Sequence, residues 1–303
     1  MRAAFLFIAI LVLGSGCHVP EARSMRGRPL ETPTLPEDVQ ARREADLRHA
    51  RTIYSVHPSD EEAIIWLGRR TAYLGRYREA VDIYTNGLKT FPESYRLLRH
   101  RGHRYITLRK LDAAIDDLQR ADELSRDQPD AIEPDGMPNA AGKPRSTTKG
   151  NILYHLGLAH YLQGEFVESM IDFQRCLQLA TNDDMRVASA YWLYLSACRC
   201  EDKAIADHAL AIATPKMDLL ENHAYRALLL SFQDLDAGET VDSQLDEGVD
   251  EATSGYGLGM KQLLNGETDL SRAQFEVIIA ETNWAAFGHI AAEAELARLD
   301  QKD

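Results

Sequence analysis

Residues 67–92 read LGRRTAYLGRYREAVDIYTNGLKTFP, and their spacing decides the fold. Small residues stand at Gly68, Gly75, Ala80 and Gly87, large apolar ones at Leu67, Tyr73, Tyr77 and Tyr84, and Pro92 ends the stretch. A step of 34 residues maps Gly68 onto Gly102, Tyr77 onto Leu111, Ala80 onto Ala114, Tyr84 onto Leu118 and Gly87 onto Ala121. Recurring small and large apolar positions at such a period mark one supersecondary unit copied along the chain. The small residues let two helices approach closely, and the large ones fill the space around them.

The pattern returns after a gap. Gly157, Ser169 and Cys176 lie 55 residues beyond Gly102, Ala114 and Ala121, which is one period plus an insertion of 21. Units are expected at about 61–94, 95–126, 150–183, 184–215 and 253–284. The fourth carries Tyr191-Trp192-Leu193-Tyr194-Leu195, and the last carries Leu258-Gly259, Gly266, Ala273, Phe275 and Ala280. A further helix falls at 220–235, while Val39–Ser55 and Ala285–Leu299 read as helices that cap the two ends. No unit can bury its apolar face alone, so the units must stack. Glycine punctuation about every 15 residues excludes a long coiled coil.

This pattern resembles the tetratricopeptide repeat. The resemblance implies an all-α fold over residues 39–303, a right-handed superhelix of stacked helix pairs. It is closest over 61–126, good over 150–182 and loose over 184–299.

The N-terminus reads as an address. Arg2 precedes eleven apolar residues, Ala3 to Leu13, too few to span a bilayer comfortably. Gly14-Ser15-Gly16-Cys17 then resembles the lipobox of bacterial lipoproteins, with Gly14 where the family usually has Leu. The resemblance implies a signal peptide at 1–16 and a lipidated Cys17. His18, rather than Asp, after the Cys implies an outer membrane, facing the periplasm. Ordinary cleavage and an uncleaved anchor are the alternatives. Pro20, Pro29, Pro33 and Pro36 make 17–38 an extended, flexible tether by composition.

The whole chain has 303 residues, is 45% hydrophobic and carries a formal charge of −13, which argues against non-specific nucleic-acid binding. The charge is uneven. Residues 17–150 hold 23 Lys and Arg against 21 Asp and Glu, and residues 151–303 hold 10 against 26.

In the repeat family the first helix of each pair lines the concave side. Carried over, this puts Arg69 and Tyr73 in the trough from the first unit, Arg96, Arg99, His100 and His103 from the second, and Tyr154, His155 and Tyr161 from the third. Arginines fork onto carboxylates and tyrosines add rigid contact area, so the trough suits an acidic or C-terminal peptide. The competing reading is a solvated helix face balanced by Asp112, Asp116 and Asp117. The insertion 127–149, with four prolines, is a long irregular loop. It folds over the trough as a lid or is a tolerated surface insertion.

Other chemistry finds little support. Cys198 and Cys200 point about 200° apart on a helix and cannot chelate one metal together. Cys176 takes a small-residue position between helices, as a buried thiol would. His100 and His103 share a helix face but lack a third metal ligand at matching spacing. Gly255-Tyr256-Gly257-Leu258-Gly259 has no Lys-Ser/Thr after it, as a phosphate cradle needs. The expectation is a non-enzymatic, membrane-tethered adaptor for an envelope protein, without cofactor or metal, similar to bacterial repeat lipoproteins that dock cell-wall hydrolases and a processing protease. The rivals are a scaffold that self-associates without a dedicated ligand, and a metal-dependent enzyme built on His100 and His103.

Overall fold

A computed structural model describes residues 19–234 and 247–301, and these are helical almost throughout. A hairpin of β1 (Ala22–Arg23) and β2 (Pro29–Leu30) precedes α1 (Glu37–Val56), α2 (Glu61–Ala72), α3 (Tyr77–Thr90), α4 (Tyr95–Thr107) and α5 (Leu111–Ser125). After an irregular stretch come α6 (Thr148–Gln163), α7 (Phe166–Gln178), α8 (Asp183–Arg199), α9 (Lys203–Leu210) and α10 (His223–Phe232). The chain ends in α11 (Glu247–Leu264), α12 (Thr268–Glu281) and α13 (Phe287–Asp300). Short turns join α2 to α3, α4 to α5, α6 to α7, α8 to α9 and α11 to α12, and each pair packs on the next.

One contact recurs through the array. Gly68 faces the ring of Tyr84, Gly102 faces Leu118, Gly157 faces Phe173 and Gly259 faces Phe275. In each pair the glycine is on the first helix and the large side chain on the second, so a methyl at any of the four would overlap its neighbour. That close approach is why the period shows in the sequence. The turns repeat too: Gly75 and Gly164 are left-handed, and Arg109 and Glu201 adopt the same conformation at φ 59° and 58°. The strain of a non-glycine residue there is modest. Helix starts are fixed by side chains: Ser94 Oγ accepts from Leu97 N–H at 3.0 Å and Thr147 Oγ1 from Gly150 N–H at 3.1 Å. The largest core cluster centres on Trp192, which stacks on Phe173 and Tyr256, with Tyr161 edge-on at 5.2 Å.

Two segments differ from the sequence reading. The part of the expected tether that is described, residues 19–36, packs onto the body instead of standing free. Ala22 and Leu30 are buried, and Met25 N–H donates to Glu293 Oε2 at 3.1 Å. Arg26 pairs with Glu276 and Asp300, Trp284 Nε1 donates to the Glu31 carbonyl, and Arg78 N–H donates to Glu21. Proline denies this segment a helix, yet an extended strand has free backbone groups that side chains of both chain ends can satisfy. Secondly, α13, the helix expected to cap the array, is itself largely enclosed. Ten of its fourteen residues are buried, including Glu293 and Glu295. It lies against the first helices of several repeats, with Phe287 touching the rings of His103, Tyr154 and His155 and Arg298 donating to the Tyr161 and Leu162 carbonyls. Its carboxylates face inward because arginines meet them: Arg109 and Glu293 at 2.9 Å, Arg199 and Glu295 at 2.8 Å. The expected signal peptide 1–16 and the expected lipidation site Cys17 lie outside the described residues. No described helix is long and apolar enough to cross a membrane.

Candidate peptide-binding trough

Helices α2 and α4 lie side by side and turn one face toward the insertion between α5 and α6. Their cationic side chains recur every three or four positions, which puts Arg69, Tyr73, Arg96, Arg99, His100 and His103 on connected faces. Arg69 Nε donates to Tyr73 Oη at 3.2 Å, and its Nη1 donates to the Pro134 carbonyl at 2.7 Å. Arg99 is buried, and its Nη2 lies 3.0 Å from Glu133, which is equally buried. The other Arg99 terminal nitrogen donates to His100 Nδ1 at 2.9 Å, and the His100 ring stacks on Tyr84. His103 and His155 have ring centroids 4.2 Å apart, under Phe287. Burial and the nearby guanidinium groups hold all three imidazoles well below their ordinary pKa, so they are neutral at pH 7.

The remaining expected residues divide. Arg96 is half-buried and ties α4 back to Glu61 and Glu62 of α2. Tyr154 Oη accepts from Trp192 Nε1 and meets Tyr225 Oη, both at 2.9 Å. Beside it is a pocket of about 300 Å³ lined by Asn151, His155, Ser189, Glu221 and Tyr225 among others. Tyr161 requires correction: it is fully buried, with its Oη accepting from Tyr256 Oη at 2.9 Å, and it belongs to the aromatic core. α6 is covered on both sides, by α7 and α8 on one and by α11 and α13 on the other, so its face gives no guide to solvent.

Sequence reasoning missed four participants. Arg70 Nη1 donates to the Gly136 carbonyl at 3.0 Å, and the Arg69 and Arg70 guanidinium groups sit 4.6 and 5.1 Å from the Trp66 ring centroid. Arg104 lines a cavity of about 100 Å³ with Arg69, Tyr84, Arg99 and His100. The fourth is Glu133, whose place follows only from where the insertion lies. The signal for the arginines was their sequence adjacency to the named ones. The insertion itself is ordered, with an isolated bridge between Ile132 and Thr147 and with Arg145 paired to Asp184 at 2.7 Å.

Burial pushes the Cys176 thiol up to about 12, so it stays protonated between α6 and α8. Cys176, Cys198 and Cys200 are unbridged. Among the described residues no group of three or more His, Cys, Asp or Glu side chains is placed to hold a metal ion.

Residues 67–129 match the tetratricopeptide repeat family, a protein-interaction module. No curated protein matches the sequence. The chain is similar at 14% identity to the MamA protein structure, with a TM-score of 0.40, covering 69% of this chain and 93% of that one. It is also similar at 14% identity to YrrB, described as a TPR protein with an unusual peptide-binding site, with a TM-score of 0.41, covering 84% of this chain and 98% of that one. The P58(IPK) TPR domain gives 10% identity and a TM-score of 0.28, covering 88% of this chain and 67% of that one. Residues 67–129 thus carry tetratricopeptide repeats, and paired helices of the same kind continue through the described residues on both sides of them.

Proposed function

We propose that the protein is a non-catalytic adaptor that captures an acidic segment of another envelope protein along the α2 and α4 wall, held at a membrane by a lipidated Cys17. The observation that carries this reading is the concentration of Arg69, Arg70, Arg99 and Arg104 with Tyr73 on one inner face. Guanidinium groups on a concave, partly desolvated surface bind carboxylates through paired, charge-assisted hydrogen bonds, and the aromatic rings beside them supply area. The inner ends of α6 and α8 are occupied by α13, which directs a partner to the first two repeats. Because residues 19–36 pack onto the body, a lipid on Cys17 would hold the repeats close against the bilayer surface.

The test is crosslinking capture from the native envelope with wild type and an Arg69→Ser, Arg70→Ser double variant. Wild type is expected to retain a partner that the variant loses, at unchanged helicity by circular dichroism. Equal capture by both would remove the trough assignment. Replacing Cys17 by Ser is expected to move the protein from the membrane to the soluble fraction. Unchanged membrane retention of that variant would refute the lipid anchor.

A further inference from the structure

The insertion between α5 and α6 carries a short acidic sequence, Ile132-Glu133-Pro134-Asp135-Gly136, across the arginine wall. Its course is extended at the start: Ile132 bridges to Thr147, and Glu133 N–H donates to the Ser146 carbonyl at 3.0 Å. Pro134 fixes its own φ and biases Glu133 away from helix. Three successive groups then meet three arginines. The Glu133 carboxylate lies 3.0 Å from Arg99 Nη2, the Pro134 carbonyl accepts from Arg69 at 2.7 Å, and the Gly136 carbonyl accepts from Arg70 at 3.0 Å. Gly136 rests so near Tyr73 Oη that any side chain there would collide with it. This is how an acidic peptide would lie on a trough, supplied by the chain itself.

The fit is incomplete. Arg99 Nε and Asp135 Oδ2 are both buried without a hydrogen-bond partner. Arg104 stands over the Tyr77 ring at 5.5 Å and has no carboxylate partner among the described residues. Each buried bond left unmade works against the segment's hold on the wall. The limb beyond it is fastened elsewhere: Asn139 donates to Glu221, and Arg145 pairs with Asp184 and Asp218. The acidic segment can therefore lift while both ends of the insertion stay attached.

We infer that the insertion is a resident ligand of the trough, and that the partner is an acidic, proline-containing segment that displaces Glu133–Gly136 and adds a carboxylate for Arg104. This rests on the adaptor reading and deepens it by naming the partner's chemistry and the gate it must open. A tethered ligand acts at a high effective concentration, so a free competitor binds weakly until the tethered one is weakened.

The test uses the full chain and a terminally blocked, labelled peptide copying residues 130–138, read by fluorescence anisotropy. An E133A, G136V double variant removes the Arg99 partner and forces the segment off Tyr73. It is expected to bind the peptide at least tenfold more tightly than wild type, and adding R69S is expected to abolish the gain. Equal affinity for wild type and the double variant, or binding to neither, overturns the inference. A second readout needs no variant: saturating peptide is expected to speed amide exchange at residues 131–137 of wild type, and unchanged exchange overturns it. Envelope capture separates the two readings. A partner held equally by wild type and double variant removes the gate and leaves the adaptor standing. Peptide binding with the expected variant pattern, but no partner captured from the envelope, does the reverse.

Discussion

The α2–α5 repeats and the α6–α7 repeat share a first-helix glycine set against a large second-helix side chain, yet the faces of α2–α5 and of α6–α9 are used differently. In α4, seven of thirteen residues are buried, and the inward side chains are arginines and histidines met by a loop. In α8, twelve of seventeen are buried, and Trp192 lies among the rings of Phe173 and Tyr256. The first pair of repeats keeps a polar wall, and the insertion between α5 and α6 lies on it. The second has turned that wall into core by drawing in α13. One period thus supports either a polar wall or an apolar interior, according to which other segment of the chain is laid on it.

The comparison can be broken most forcefully at the α13 anchor. Glu293→Ala leaves Arg109, itself buried, without its partner, and is expected to destabilise by about 3–5 kcal/mol in urea unfolding. A loss below about 1 kcal/mol would mean α13 is not closing the second region. The same carboxyl predicts an acid limit. Burial alone would raise it, but hydrogen bonds from His289, Arg109 and the Met25 N–H together with the Arg109 charge hold it at about 2, below its usual 4.5. Its folded pKa is depressed, so its contribution is complete above pH 4.5 and is lost as pH falls toward 2. A urea midpoint that stays level across that window would contradict the pairing.

Next come the glycines shared by both regions. Gly68→Ala and Gly259→Ala each push a methyl into an aromatic ring and are expected to cost about 1–3 kcal/mol. Similar losses at both sites would establish that the two regions are packed by one rule, and a neutral Gly259→Ala would separate them. A smaller effect is expected where the regions meet. His100, His103 and His155 are neutral in the fold, with depressed pKa values, so stability should fall as pH drops below 6.5. Urea midpoints at pH 7.5 and 5.5 measure it, and equal midpoints would mean the imidazoles reach water. The smallest change is expected at Arg96. Arg96→Ala removes a half-exposed pair with Glu61 and Glu62 and should cost no more than about 1 kcal/mol.

The all-α stacked-pair fold was legible because its deciding contacts are local. Gly68 meets Tyr84 within one unit, and the same offset joins Gly102 to Leu118, so a period in the sequence is a period in space. The arginine wall was legible for a similar reason, since Arg69, Arg96 and Arg99 keep their helical spacing. Other features depend on partners far along the chain. Residues 19–36 have the composition of a disordered linker, and nothing local announces that Glu293 and Arg78 will bind them. Glu293 and Glu295 look like a water-facing stripe until Arg109 and Arg199 are seen to reach them. Helix face alone points Tyr161 into the trough, and that expectation fails because Tyr256 covers the face.

The hydrogen bond from Met25 to Glu293 joins residues 268 positions apart. An open array of repeats can nucleate anywhere and fray from its tips, because each unit answers only to its neighbours. Here α13 completes the environment of the β1–β2 hairpin, so this contact waits on a loop closure across most of the described chain. Deleting residues 19–31 or α13 should therefore loosen the opposite partner as well, and the array should melt as one unit.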